Sequence, residues 1–184
     1  MAPVKHRKVV MLGYPSVGKS SLAIHFVKGN FPKDYEPTIE NTWSKTFVLG
    51  SDEFELDVVD TAGQDEYSLL PQSFIFGIHG YIVVYSVACS RSFQIARGLH
   101  RVLVDLRGKG LMPIVLVGNK NDLPAHSREV KTEEGRKLAE SWGAAFLEVS
   151  AKSPEDSKQI FTKIIEEIDR VEKSFSDEKK CRFM

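Results

Sequence analysis

Short apolar runs rich in β-formers recur along the chain at Val9 to Leu12, Phe54 to Val59, Tyr81 to Val87, Ile114 to Val117 and Ala145 to Val149, with helical patterns between most of them. Strands that alternate with helices make a parallel sheet covered on both faces. The stretch Trp43 to Leu49, the turn Gly50-Ser51-Asp52 and Phe54 to Val59 read as a hairpin, which adds one antiparallel edge strand. The expected fold is therefore α/β, with a six-stranded, mostly parallel sheet and helices on both faces. Ser153-Pro154-Glu155-Asp156 marks a helix start: an N-cap, a proline at the first helical position and acids in the first turn. Behind it Ile160, Phe161, Ile164, Ile165, Ile168 and Val171 fall on one stripe, which is a core-packing face and carries no chemistry. After Lys173 the chain is polar and charged, so the expected organisation is one domain over 1–172 and a flexible tail over 173–184.

Composition narrows the function classes. The chain has 184 residues, the size of one domain, and its 25 basic and 25 acidic side chains cancel, which removes the net electrostatic reason to bind nucleic acid. Cys89 and Cys181 are too few for a disulfide framework, and the opening residues lead into an apolar run too short for a signal peptide, so the expected compartment is the cytoplasm. No apolar stretch approaches the roughly 20 residues of a spanning helix, and any membrane contact must be peripheral or lipid-mediated.

Directly after the first strand stands Gly13-Tyr14-Pro15-Ser16-Val17-Gly18-Lys19-Ser20, with the spacing G-x-x-x-x-G-K-[ST], followed by a helical stretch from Ser21 to Lys28 closed by Gly29. The glycines let the backbone wrap a phosphate, so that N–H groups from Ser16 through Val17, Gly18 and Lys19 to Ser20 and Ser21 point inward at a helix N-terminus. Lys19 supplies positive charge to the β- and γ-phosphates, and the Ser20 hydroxyl suits Mg²⁺, a hard cation that prefers oxygen. A phosphate loop alone leaves ATPases, nucleoside kinases and GTPases open. The base is read from Asn119-Lys120-Asn121-Asp122, which follows the strand Ile114 to Val117. The Asp122 carboxylate can accept from a guanine N1–H and N2 amino group, a donor pair that adenine lacks. Asp60-Thr61-Ala62-Gly63-Gln64 ends the third strand, where Asp60 can hold Mg²⁺ through water and the Gly63 N–H can reach the γ-phosphate.

Gly13 to Ser20, Thr38, Asp60 to Gln64, Asn119 to Asp122 and Ser150-Ala151-Lys152 stand in the order and spacing of the Ras superfamily, and the resemblance runs from Arg7 to Val171. Within it, Glu36-Pro37-Thr38-Ile39-Glu40-Asn41-Thr42, Asp60 to Tyr67 and Cys181-Arg182-Phe183-Met184 resemble the Rheb family, its Rheb-like branch most of all. The resemblance implies a P-loop NTPase with a Ras-like G domain, a monomeric GTPase switch that uses GTP, GDP and Mg²⁺ and has a slow intrinsic rate. It implies that Phe31, with Pro32 beside it, stacks on guanine, that Thr38 ligates Mg²⁺ with Ser20 and Asp60, and that Ser150, Ala151 and Lys152 buttress the base beside Lys120. Tyr35 would close over the phosphates, and Gln64 would orient the attacking water. The partners it implies are the mTOR kinase complex as effector and a tuberin-type activating protein. Pro15 departs from the glycine of Ras and the arginine usual in Rheb proteins, and is expected to crowd Gln64 and an incoming arginine finger while leaving the cradle intact.

Cys181 and the three residues after it have the form of a prenylation signal, with Met184 favouring farnesyl. One prenyl chain with Lys179, Lys180 and Arg182 nearby gives reversible attachment, so the expected location is peripheral on endomembranes. Two other readings compete. A P-loop kinase would need an acceptor pocket and a lid and has no use for Asn119 to Asp122. A module that keeps GTP without hydrolysing it is opposed by Gln64 and favoured by Pro15.

Overall fold

The computed structural model describes residues 4–14, 17, 19, 22, 23, 26, 40–61, 75–108, 112–119, 124–150 and 153–182. They contain six strands: β1 Lys5–Gly13, β2 Glu40–Leu49, β3 Asp52–Thr61, β4 Gly80–Ser86, β5 Ile114–Asn119 and β6 Ala145–Val149. The strands form one sheet in the order β2-β3-β1-β4-β5-β6. Only β2 and β3 pair antiparallel, as the hairpin requires; the other neighbours are parallel. The described helices are α1 Ser90–Arg107, α2 Thr132–Trp142 and α3 Pro154–Arg182, with a 3₁₀ turn at Ala125–Ser127. Lys19, Leu22, Ala23 and Phe26 are helical as well, and the last three fall within the helix expected from Ser21 to Lys28.

Burial follows position in the sheet. Every residue of β4 and β5 is buried, the consequence of packing an interior parallel strand on both faces. On β2, at the edge, Trp43, Lys45, Phe47 and Leu49 are half-buried and alternate with exposed residues. The hairpin turns at Gly50, whose φ of +65° suits the first position of a two-residue loop. Along β1, Val9 and Met11 face one core, shared with Leu22, Phe26 and the stripe of α3, whereas Val10 and Leu12 face a second core under α1 and α2. All six residues of the α3 stripe are at most 4% exposed, so the helix is held by burial worth about 1.5–3 kcal/mol for each large side chain.

The first turn of α3 is built as its sequence suggests, with the Ser153 Oγ accepting from the Asp156 N–H at 3.4 Å. The helix then continues to Arg182, beyond the boundary after residue 172, while its last described buried residue is Val171. Glu178, Lys179 and Lys180 are good helix formers, which suits the continued helical backbone. The side chains from 175 onward lie outside the described residues. No helix among the described residues is long and apolar enough to cross a membrane.

Candidate functional site

The parallel ladder brings the ends of five strands to one edge: Gly13 of β1, Thr61 of β3, Ser86 of β4, Asn119 of β5 and Val149 of β6. β1 has β3 on one side and β4 on the other, so strand order reverses around it. Open α/β sheets bind ligands outside the carboxyl ends at such a reversal.

Gly13 begins the phosphate loop in close contact with β4. A Cβ placed there would lie 2.2 Å from the Val84 carbonyl oxygen, so only glycine lets β1 and β4 close at this point. Val17 is buried in the same region. Lys19 is 5% exposed, and its Nζ donates to the carbonyls of Gly13 at 2.9 Å and Tyr14 at 3.1 Å. Burial lowers its pKa to about 8 against the opposing pull of the Asp60 carboxylate. A buried ammonium resting on two carbonyls is a cation still in need of countercharge, which suits a polyphosphate. Asp60 is fully buried on β3 opposite Met11, and the neighbouring Thr61 Oγ1 donates to the Met11 carbonyl at 2.8 Å. The carboxylate is buried and close enough to Lys19 to act on its pKa.

Asn119 joins this region to the base side. Its Nδ2 donates to the Val17 carbonyl at 2.8 Å across 102 residues of sequence, and its main-chain carbonyl accepts from Val87 N–H at 3.0 Å. The Asn119 Oδ1 is buried with no hydrogen-bond partner among the described residues, an acceptor that a bound ligand's donor or a water would satisfy. Ser150, directly after β6, donates its N–H to Asp156 Oδ2 at 2.9 Å and accepts from Ser153 N–H at 3.0 Å. The first-turn acid of α3 therefore fixes the start of Ser150-Ala151-Lys152.

Of the residues expected in the site, Val17, Lys19, Asp60, Asn119 and Ser150 are described and come together at this edge. Pro15, Ser16, Gly18, Ser20 and Ser21 of the phosphate loop lie outside the described residues, as do Phe31, Pro32, Tyr35 and Thr38. The same holds for Gly63, Gln64, Lys120, Asp122, Ala151 and Lys152. For Cys181 the backbone is helical and the side chain is not described. Sequence reasoning gave Asp156 only a helix-start role, and it passed over Arg128, Thr132 and Glu148, which bond to one another behind the base side of the site. No motif or period connects those three positions.

The chain is similar to known proteins over almost its whole length. The model of the Ras family matches residues 8–170. The mouse (Mus musculus) protein "GTPase RhebL1" is 54% identical over 185 residues, covering all of both chains. The human "GTP-binding protein Rheb" is 49% identical over 179 residues, 97% of each chain. In Schizosaccharomyces pombe, "GTP-binding protein rhb1" is 44% identical over 170 residues, 92% of this chain and 91% of that one.

Proposed function

We propose a mechanism on one premise: this chain belongs to the Ras family and, within it, to the Rheb family. It is a small GTPase switch that binds GTP and GDP and hydrolyses GTP to GDP and phosphate. The observation that carries the mechanism is the meeting of Lys19, Asp60 and Asn119 at one sheet edge, with the base loop bonded to the phosphate loop through Asn119 and Val17.

Lys19 serves the β- and γ-phosphates. Burial has already removed its water, so phosphate oxygens gain more from the charge than they would at a solvated lysine. The backbone N–H groups from Ser16 to Ser21 complete the cradle. Ser20, Thr38 and Asp60 would hold Mg²⁺, which when bound neutralises charge on the β- and γ-phosphate oxygens. Gln64 orients the water that attacks the γ-phosphorus, and Tyr35 covers the phosphates from solvent. Hydrolysis removes the γ-phosphate contacts of Thr38 and Gly63, which releases the two segments around them and changes a partner-binding face. Pro15 stands where the family pattern of Ras has glycine, and this bulkier residue should hinder Gln64 and slow intrinsic turnover.

On the base side Asp122 accepts from guanine N1–H and N2, Phe31 and Pro32 cover the ring, and Lys120 with Ser150, Ala151 and Lys152 closes the pocket. Resemblance to Rheb proteins supports the mTOR kinase complex as effector and a tuberin-type protein as activator. A farnesyl group on Cys181 would place the chain reversibly on endomembranes.

The test is base exchange. Asp122→Asn replaces an acceptor pair by a group with one acceptor and one donor, so GTP should weaken by at least tenfold, the loss of a charged hydrogen bond worth about 1.5–3 kcal/mol. Xanthosine triphosphate, which presents an acceptor where guanine has its N2 amino group, should bind the variant better than the parent. A variant that holds GTP as tightly as the parent refutes the assignment.

A further inference from the structure

The geometry points to a brace of Arg128, Thr132 and Glu148 that holds the two base-recognising loops in register and so sets how long the nucleotide stays bound; the inference rests on the guanine-binding reading above. Glu148 stands on β6 opposite Gly118 of β5. One residue beyond Gly118 is Asn119, where the first base loop begins, and two residues beyond Glu148 is Ser150, where the second begins. Arg128 lies past the 3₁₀ turn on the segment that returns the first loop toward α2, and Thr132 is the first residue of α2. The three side chains thus join two pieces of backbone, the segment that runs into α2 and strand β6.

They close a triangle. Arg128 Nη2 pairs with Glu148 Oε2 and also donates to Thr132 Oγ1 at 3.0 Å, and the Thr132 hydroxyl contacts Glu148 Oε1 at 3.0 Å. Arg128 Nε donates to the Val130 carbonyl at 2.7 Å, which fixes the plane of the guanidinium. The ion pair is mostly buried, with 24% of the arginine and 14% of the glutamate side chain exposed. A shielded, charge-assisted bond of this kind has a defined geometry that an exposed ion pair lacks.

The same return segment is tied to the other loop through backbone alone. Glu129 and Val130 N–H donate to the Val87 carbonyl at 2.8 and 3.0 Å, and Val87 N–H donates to the Asn119 carbonyl at 3.0 Å. The segment is therefore linked to Asn119 by main chain and to the β6 end by the brace. Val149, which separates Glu148 from Ser150, is fully buried, so a tilt of Glu148 has no soft residue to absorb it before Ser150. None of the three touches the nucleotide in this scheme; they are positioning residues.

The experiment loads the full-length chain with GDP carrying a fluorescent methylanthraniloyl group and measures its release in excess unlabelled GDP. The parent is compared with Glu148→Gln, Arg128→Met, Thr132→Val and the Glu148→Gln/Arg128→Met double variant. Each charge variant should release about tenfold faster, the factor that corresponds to about 1.4 kcal/mol. The double variant should be no faster than the faster single, because both remove one unit. Competition by inosine diphosphate, which lacks the exocyclic amino group, separates positioning from general loosening: the preference for GDP over it should fall in the variants. Parent-like release in both charge variants, or weakening of GDP and inosine diphosphate by the same factor, overturns the brace. If Arg128→Met does not fold, Thr132→Val decides, since it keeps both charges and removes only the hydroxyl. A parent that retains no guanine nucleotide refutes the functional reading and the brace with it, a result distinct from parent-like release in the variants.

Discussion

Replacing Gly13 by alanine tests whether the close approach of β1 and β4 positions the phosphate loop. The added Cβ would lie 2.2 Å from the Val84 carbonyl oxygen, 3.2 Å from its carbon and 3.3 Å from Val17 Cγ2. The first of these atoms is backbone, so no side-chain rotation relieves it. Gly13 and Val84 are the last paired residues of β1 and β4, and the strands must part there. Overpacking of this kind costs about 1–3 kcal/mol, and the backbone φ of +156° adds strain for an L-residue of about 1 kcal/mol. A total of about 2–4 kcal/mol leaves a chain of this size folded and lowers its melting temperature by roughly 10 °C. The Gly13 and Tyr14 carbonyls that hold Lys19 Nζ move with the strand end, so GDP affinity should fall as well. Thermal unfolding and equilibrium binding of fluorescent GDP measure the two effects. Gly98→Ala is the internal control: Gly98 is an exposed position of α1 whose added Cβ meets nothing within 4 Å outside its own stretch of helix, and helix propensity should stabilise the variant by about 0.5–1 kcal/mol. If Gly13→Ala melts with the parent and binds GDP equally well, the strand ends can part at no cost and the positioning argument fails.

His79 accepts the Lys8 N–H through Nδ1 at 2.9 Å, and burial, reinforced by Arg7, lowers its pKa below 6.5. The unfolded chain therefore binds the proton first, and stability should fall as pH drops through 6.5; the denaturation midpoint should decline less in His79→Asn, whose Oδ1 can accept the same N–H, and an unchanged slope removes His79 as the cause. His100, stacked on Trp142 with its pKa lowered by burial, should contribute part of the slope that remains. Cys181→Ser should move the protein from membranes to the soluble fraction with GDP affinity unchanged, and an unaltered membrane fraction would sink the farnesyl proposal.

The apolar runs located the strands because interior parallel strands are apolar on both faces. Their ends were less legible. β1 begins at Lys5 and not at Val9, since His6, Arg7 and Lys8 join the ladder to β3 through backbone groups that do not depend on side-chain polarity. For α3, Val171 is the last described buried residue while the backbone stays helical to Arg182, and only burial of a stripe shows in a hydrophobic pattern. Lys19, Asp60 and Asn119 were legible because their chemistry requires those residue types at fixed places after strands. Arg128 and Glu148 are 20 residues apart and meet only when β6 lies beside β5. Such a pair leaves no period, and its partners look like ordinary surface charges.

Sheet order also bears on why a switch can keep its product. The phosphate side rests on β1 and β3, with Lys19 after the first and Asp60 at the end of the second, whereas the base side rests on β5 and β6. β4 stands between the two halves. Loss of a γ-phosphate removes contacts only on the β1 and β3 half, because no residue assigned to that phosphate follows β5 or β6. The bond from Asn119 Nδ2 to the Val17 carbonyl then matters for the state that remains: it ties the base loop to the part of the phosphate loop that precedes Lys19. In the proposed mechanism the grip on the base is thus independent of the γ-phosphate contacts of Thr38 and Gly63, and Lys19 keeps its β-phosphate when the γ-phosphate leaves. On that proposal release of GDP would require a separate disturbance, either of that bond or of the base loops themselves, so hydrolysis and exchange would be two distinct steps of one cycle.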